Sequence, residues 1–262
     1  MAPHTIAYRR VIHLSHLIDV DMPHWPGDPA LELTTVAARA THGYFARRLT
    51  IGEHGATHLN APSSFHAGGD GIDAYQAAEL VVPAVVFDVR TAASADADFL
   101  AAPSDLTAWE RVHGTVPDGS VVLLRTGWAS RWGDAAGFLN ADAHEVLHVP
   151  GFSPGLARVL IEERRVAGIG IDTHGVDGGR DQRFAVNALV LERRRLVLEN
   201  LANLGSAACD GRDAGDRPVA STRWVRVTGC GAGVRAVARP ERLRGRAPER
   251  RAPAVDRATS SR

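Results

Sequence analysis

Gly52-Glu53-His54-Gly55-Ala56-Thr57-His58-Leu59-Asn60-Ala61-Pro62-Ser63-Ser64-Phe65-His66 holds three of the chain's 12 histidines. Neutral imidazole is the commonest protein ligand for zinc and similar ions. On an extended strand, residues four apart lie about 13 Å from one another. That is too far to share an ion whose bonds are near 2 Å, whereas on a helical turn positions i and i+4 are neighbours. The His54/His58 pair therefore needs a tight turn or a helix start, and Gly55-Ala56 permits one. The plainer reading is a pair of structural or surface histidines.

Outward from this stretch, short β-branched runs recur between turn residues. Val11–Leu17 and Arg48–Ile51 read as strands. Leu80–Val89 is strand material that Pro83 should interrupt, since proline donates nothing to a central ladder. Ser120–Arg125, Val166–Asp172 and Arg195–Glu199 read as buried strands. Ser104–Val112 reads as a helix with Ser104 or Asp105 at its N-cap. Ser153 caps a clearer helix with Pro154 in the first turn and Leu156, Val159 and Leu160 on one face. Strands alternating with helices predict an α/β or α+β domain with a mixed sheet flanked by helices.

The 262 residues carry 30 basic and 30 acidic side chains, and every basic one is arginine. No apolar run of about 18 residues occurs, which excludes a membrane-spanning helix from the reading. The opening residues lack a signal-peptide pattern, so the cytoplasm is the expected compartment. Two cysteines, Cys209 and Cys230, make neither a disulfide framework nor a four-cysteine zinc site. Residues 1–204 hold 17 Arg against 24 Asp and Glu, a balance of −7; residues 205–262 hold 13 against 6, a balance of +7. The working domain is expected over 1–239, with 205–239 diverged or the product of a shifted reading frame. The Arg- and Pro-rich 240–262 is expected to be a solvated, disordered tail; a nucleic-acid protein resting on that tail is the third-ranked reading.

His54-x-x-Thr57-His58-x-Asn60-x-Pro62-x-x-Phe65 resembles the H-x-G-T-H-x-D-x-P-x-H-F signature of the metal-dependent cyclase family, which includes bacterial kynurenine formamidases and isatin hydrolases. Other ordered segments agree: Leu14-Ser15-His16 with Pro23–Pro29, Leu124–Trp128, Pro150–Pro154, Gly170–Asp177 and Leu198–Leu201. The resemblance covers roughly residues 10–204. It implies a swivelling β/β/α domain, a homodimer or higher homo-oligomer, and one divalent ion, Zn or Mn. It also implies hydrolysis or cyclisation at an amide, formamide or lactam carbonyl through metal-activated water, in the manner of an arylformamidase.

Carried over by position, the resemblance makes His54, His58 and Glu199 metal ligands. Asn60 stands where the third ligand is an aspartate, Ser64 where a further histidine is expected, and Asn187 where a catalytic histidine is common. Asn60 offers a single neutral carbonyl oxygen, which argues for one ion rather than two. Trp25 and Phe65 are the candidate substrate-binding residues. His66, Asp172 and His174 are the candidate catalytic ones. His66 is either a loop histidine or a group that reaches inward; Asp172 either orients a ligand histidine or caps the following turn; His174 would take over proton transfer in place of Asn187. Asp177-Gly178-Gly179 reads as a turn, and Trp128 with Trp132 as packing. The alternative to an enzyme is an inactive family member that binds a small molecule or partner, which the three substitutions favour and the retained trio opposes. The expected partner is a small molecule with an amide or lactam carbonyl, with no nucleic acid and no membrane.

Overall fold

The computed structural model describes residues 11–207, together with the backbone of residues 223–226 and 235–237; the tail expected at 240–262 lies outside the described residues. The strands are β1 (Val11–His13), β2 (Glu32–Ala37), β3 (Ala46–Thr50), β4 (His58–Asn60), β5 (Val81–Asp88) and β6 (Leu100–Ala101). They continue with β7 (Val121–Arg125), β8 (Gly151–Phe152), β9 (Gly168–Ile171), β10 (Leu196–Glu199), β11 (Arg223–Arg226) and β12 (Arg235–Val237). The helices are α1 (Arg39–His42), α2 (Arg90–Ala95), α3 (Pro103–His113), α4 (Ala135–Leu139), α5 (Pro154–Glu162), α6 (Ala185–Glu192) and α7 (Leu204–Ala207).

One sheet runs in the order β1-β12-β11-β5-β7-β9-β10-β4. At its centre β5, β7, β9 and β10 are mutually parallel, and β4 closes the edge antiparallel to β10. This is the mixed α/β arrangement expected from the sequence. Strands of a parallel sheet are buried on both faces, so they read as continuous apolar runs. Along β7, Val122 and Leu124 face the helices with Val85, Phe87, Ile169, Leu156 and Leu160, whereas Val121 and Leu123 face the opposite cluster with Leu14, Leu196 and Leu198. At the glycine positions of β9 the neighbouring chains come close: a Cβ on Gly170 would stand 2.9 Å from Leu123 and 3.0 Å from Leu198 and Leu201.

Two expectations need correction. Strand β5 passes through Pro83 without interruption, because the ladder to β7 begins only at Ala84 and proline sits beyond its end. Helix α3 starts at Pro103, with Ala102 at the N-cap; Asp105 acts from within the first turn, accepting from the Ala102 N–H at 2.8 Å. Ser153 caps α5 as read, its hydroxyl accepting from the Leu156 N–H. Trp128 is buried with Phe138 and Val149, and Trp132 packs against that cluster. No helix among the described residues is long and apolar enough to cross a membrane.

Candidate metal centre

The two histidines meet because the backbone reverses between them. Ala56 takes φ +55°, and the Gly55 N–H donates to the Gly52 carbonyl, closing a turn that delivers His58 as the first residue of β4. The antiparallel register then sets His58 opposite Glu199 and Asn60 opposite Val197. Because side chains alternate along a strand, His58, Asn60 and Glu199 point to the face that Val197 shares with α6, while Leu59 joins the other core.

His54 Nδ1 lies 3.3 Å from His58 Nε2, and His58 Nε2 lies 3.2 Å from Glu199 Oε2. A tetrahedral ion with bonds of 2.0–2.1 Å sets neighbouring ligands about 3.3 Å apart, so these separations are those of a tetrahedral edge. Asn60 Oδ1, 2.9 Å from His54 Nδ1, adds a fourth donor atom at the same place. The donor set of two imidazoles, a carboxylate and an amide carbonyl fits one borderline divalent ion.

The electrostatics agree with that fit. His58 donates Nδ1–H to the Ala56 carbonyl at 2.9 Å, which fixes the ring and aims Nε2 at Glu199. Burial pushes the His58 pKa down, yet the hydrogen bond and charge of Glu199 outweigh it and raise it. Burial pushes Glu199 up, but His58, Asn187 and the Val176 N–H bring it down to about 2. With both groups 5% exposed, a proton shared between them would balance the buried carboxylate, and a cation placed there would exchange for that proton.

Behind the trio runs a buried polar chain. Asn60 Nδ2 donates to Asn187 Oδ1 at 3.0 Å, and Asn187 Nδ2 donates to both Glu199 Oε1 (2.9 Å) and Asp177 Oδ2 (3.0 Å). The bonds of Asn187 to these two carboxylates fix its amide, which in turn turns the Asn60 carbonyl toward His54. Asp177 also accepts the Val186 and Asn187 N–H groups at the start of α6. Burial raises its carboxyl to about 6. The DGG stretch thus supplies an anchor for the helix and for the amide chain, and the only signal for it in the sequence was its place in a family signature.

His174 follows β9 and is buried, with Nε2 lacking any hydrogen-bond partner. Its ring meets Trp25 edge-on at 5.3 Å, and burial lowers its pKa, so it is held neutral within the electrostatic reach of Glu199 and His58. Trp25 and Phe65 do not touch directly; Phe184 stands between them, 6.0 Å from Trp25 and 5.8 Å from Phe65. Sequence reasoning missed Phe184.

Other expected site residues are engaged elsewhere. His66 Nε2 donates to the Ala188 carbonyl at 2.8 Å, which ties the loop after the 62–64 turn to α6 rather than to the trio. Asp172 accepts from the Thr126 N–H and hydroxyl and the Gly127 N–H at 2.7–2.9 Å, so it orients the turn after β7 and no ligand histidine. Ser64 is exposed in the 62–64 turn.

Residues 12–178 match the family model described as "Putative cyclase". The chain is 32% identical over 193 residues to the isatin hydrolase of Roseibium aggregatum, covering 70% of this chain and 73% of that protein. The fold resembles isatin hydrolase A from Labrenzia aggregata bound to benzyl benzoate, at TM-score 0.75 and 27% identity, over 88% of this chain and 94% of that one. It also resembles isatin hydrolase A from Ralstonia solanacearum, at TM-score 0.75 and 26% identity, over 87% and 92%. An isatin hydrolase bound to the product analogue thioisatinate gives TM-score 0.74 and 25% identity, over 88% and 92%.

Proposed function

The chain belongs to the cyclase family, and from that premise we propose that it is a metal-dependent hydrolase acting on the amide bond of a lactam or related carbonyl compound. The observation that carries this reading is the clustering of His54 Nδ1, His58 Nε2 and Glu199 Oε2 within 4.8 Å of one another, with His58 Nε2 at tetrahedral-edge distance from both of the others. His54, His58 and Glu199, with the Asn60 carbonyl as fourth donor, would hold one Zn²⁺ or Mn²⁺ ion. When bound, that ion polarises a carbonyl and lowers the pKa of water toward about 7.

The chain's own residues supply the rest. Asn187 and the Val176 N–H orient Glu199 through Oε1, leaving Oε2 for the ligand position. Trp25 and Phe65 would wall an aromatic substrate, with an aromatic lactam of the isatin type first and an N-formyl arylamine second. The unpartnered Nε2 of neutral His174 would hydrogen-bond the reacting carbonyl or the leaving nitrogen. His66 and Asp172 take scaffold roles. Self-association into a homo-oligomer is part of the proposal. It is supported by Val36, Tyr44, Phe45 and Leu49, large apolar side chains exposed on and beside the β2–β3 hairpin, and light scattering on the purified protein tests it.

The decisive experiment measures bound metal after loading with Zn²⁺ or Mn²⁺, alongside isatin hydrolysis, for the wild type and His58→Ala. The expected result is one ion per chain and turnover, both lost in the variant. A wild type that retains no ion near neutral pH would overturn the hydrolase reading.

A further inference from the structure

Phe184 occupies the left-handed region of backbone space at φ +51° and ψ +46°, at the N-cap of α6. For a bulky side chain this conformation carries strain and persists only where the surroundings over-determine it. Here they do. The Asp181 carboxylate accepts the Arg183 and Ala185 N–H groups on either side of Phe184, at 2.8 and 3.2 Å. Asp177 accepts the next two N–H groups of α6, from Val186 and Asn187. Two aspartates thus lock the turn, and an asparagine or glycine would occupy it with less strain.

The strain places a ring where a strain-free residue would leave a gap. Phe184 is half-buried and stands between Trp25 and Phe65, at centroid distances of 6.0 and 5.8 Å. Asp177, which pins its turn, also holds Asn187, and Asn187 holds Glu199 and Asn60. The start of α6 that carries Phe184 is therefore tied to the ligand trio through Asp177 and Asn187.

We propose that Phe184 is the residue that makes the site selective for planar aromatic substrates, its unfavourable backbone being retained to complete the wall with Trp25 and Phe65. The inference rests on the lactam-hydrolase reading above and deepens it. A ring stacked or edge-packed on a planar ligand contributes affinity beyond its buried area, and a ring carried on a helix start that is tied to the ligand trio would keep the substrate carbonyl at a fixed distance from it.

The test is binding of thioisatinate to the metal-loaded protein by calorimetry, with thermal stability and bound metal measured on the same samples. In Phe184→Gly and Phe184→Leu the dissociation constant should rise about tenfold, with bound metal unchanged, while Phe184→Tyr stays within about twofold of wild type. Phe184→Gly should lower the Tm, because losing a half-buried ring costs more than relief of the left-handed backbone returns, so affinity is the deciding readout. A residue kept only for packing lowers the Tm on truncation with affinity unchanged, and that outcome overturns the proposal. Should the glycine variant fail to fold, the Leu and Tyr pair decides, since neither changes the backbone demand. A wild type that binds no thioisatinate overturns the aromatic-lactam reading itself; a wild type that binds while Leu and Gly bind equally well overturns only the role of Phe184.

Discussion

His58 and Glu199 face each other across the β4–β10 ladder with Nε2 3.2 Å from Oε2, each 5% exposed. In a cross-strand pair of an antiparallel ladder the Cβ atoms come within about 5 Å, so the register alone brings an imidazole and a carboxylate to ligand distance. Glu199→Gln keeps the shape and removes the charge. Bound metal should fall by at least tenfold, because one anionic ligand becomes neutral. The metal-free protein should lose only about 1–2 kcal/mol, since His58 can release its proton once its partner is neutral. Elemental analysis and urea denaturation of the stripped protein check the two halves separately.

The same pair sets a pH window. Glu199 is lowered to about 2 from 4.5, so its stabilising effect is present above pH 4.5 and lost as pH falls through 2. His58 is raised above 6.5, so its contribution is complete below pH 6.5 and lost as pH rises through the raised value. In the metal-free protein this pair therefore stabilises most between pH 4.5 and 6.5. Metal binding has the reverse trend on the acid side, because the ion must displace the His58 proton. Affinity should drop tenfold per pH unit below the folded-state pKa of His58. Calorimetric titrations with Zn²⁺ from pH 5 to 8 measure this, and a flat profile would contradict the shared proton.

Asp172 offers a clean separation of scaffold from chemistry. Its carboxylate satisfies three donors of the Thr126–Gly127 turn, and burial pushes its pKa up against their pull. Asp172→Ala leaves those donors unpaired and should cost about 2–4 kcal/mol. Bound metal per folded chain should stay at the wild-type level. Loss of metal without loss of stability would instead restore Asp172 to the site.

What the sequence disclosed and withheld follows from the range of each signal. His54, His58 and Glu199 were legible because histidine spacing and an ordered signature survive without a structure, although their meeting depends on β10 lying next to β4, 141 positions apart at the His58↔Glu199 pairing. His66 and Asp172 were plausible from proximity in sequence alone; which way a loop turns is decided by partners such as the Ala188 carbonyl and the Thr126 N–H, far along the chain. Asp177 was read as a turn because Asp-Gly-Gly favours one locally, and its helix-anchoring bonds are invisible at that range. Phe184 carried no signal at all, since a bulky aromatic is rarely found in a left-handed backbone.

Asp177→Asn puts two terms of similar size against each other. Wild-type Asp177 titrates near 6 instead of 3.8, so the folded state holds its proton more tightly and stability falls as pH rises between those values. The 2.2-unit difference corresponds to about 3 kcal/mol at neutral pH. An asparagine avoids that cost but loses the acceptor for the Asn187 N–H and Nδ2, worth about 2 kcal/mol together. The variant should be less stable than wild type at pH 4 and draw level by pH 7. Thermal melts across that range test it, and a gap that widens with pH would refute the assignment.

Asn60 and Asn187 form a matched pair, and this determines how restoring the family's aspartate would act. Asn60 Nδ2 donates to Asn187 Oδ1, while both hydrogens of Asn187 Nδ2 are committed to Glu199 and Asp177. Asn60→Asp sets a carboxylate oxygen against the Asn187 oxygen, and Asn187 cannot flip without abandoning two buried carboxylates. The single substitution should therefore destabilise the metal-free protein by about 1–3 kcal/mol, even though the new carboxylate is the stronger metal ligand. Adding Asn187→His supplies an N–H donor toward position 60, so the double variant should recover part of the loss and bind metal more tightly than wild type. A double-mutant cycle on stability should show a coupling of at least 1 kcal/mol, as expected for residues in one hydrogen-bonded network. Strict additivity would show that the two asparagines act independently, and the amide chain behind the trio would then have no part in shaping the ligand set.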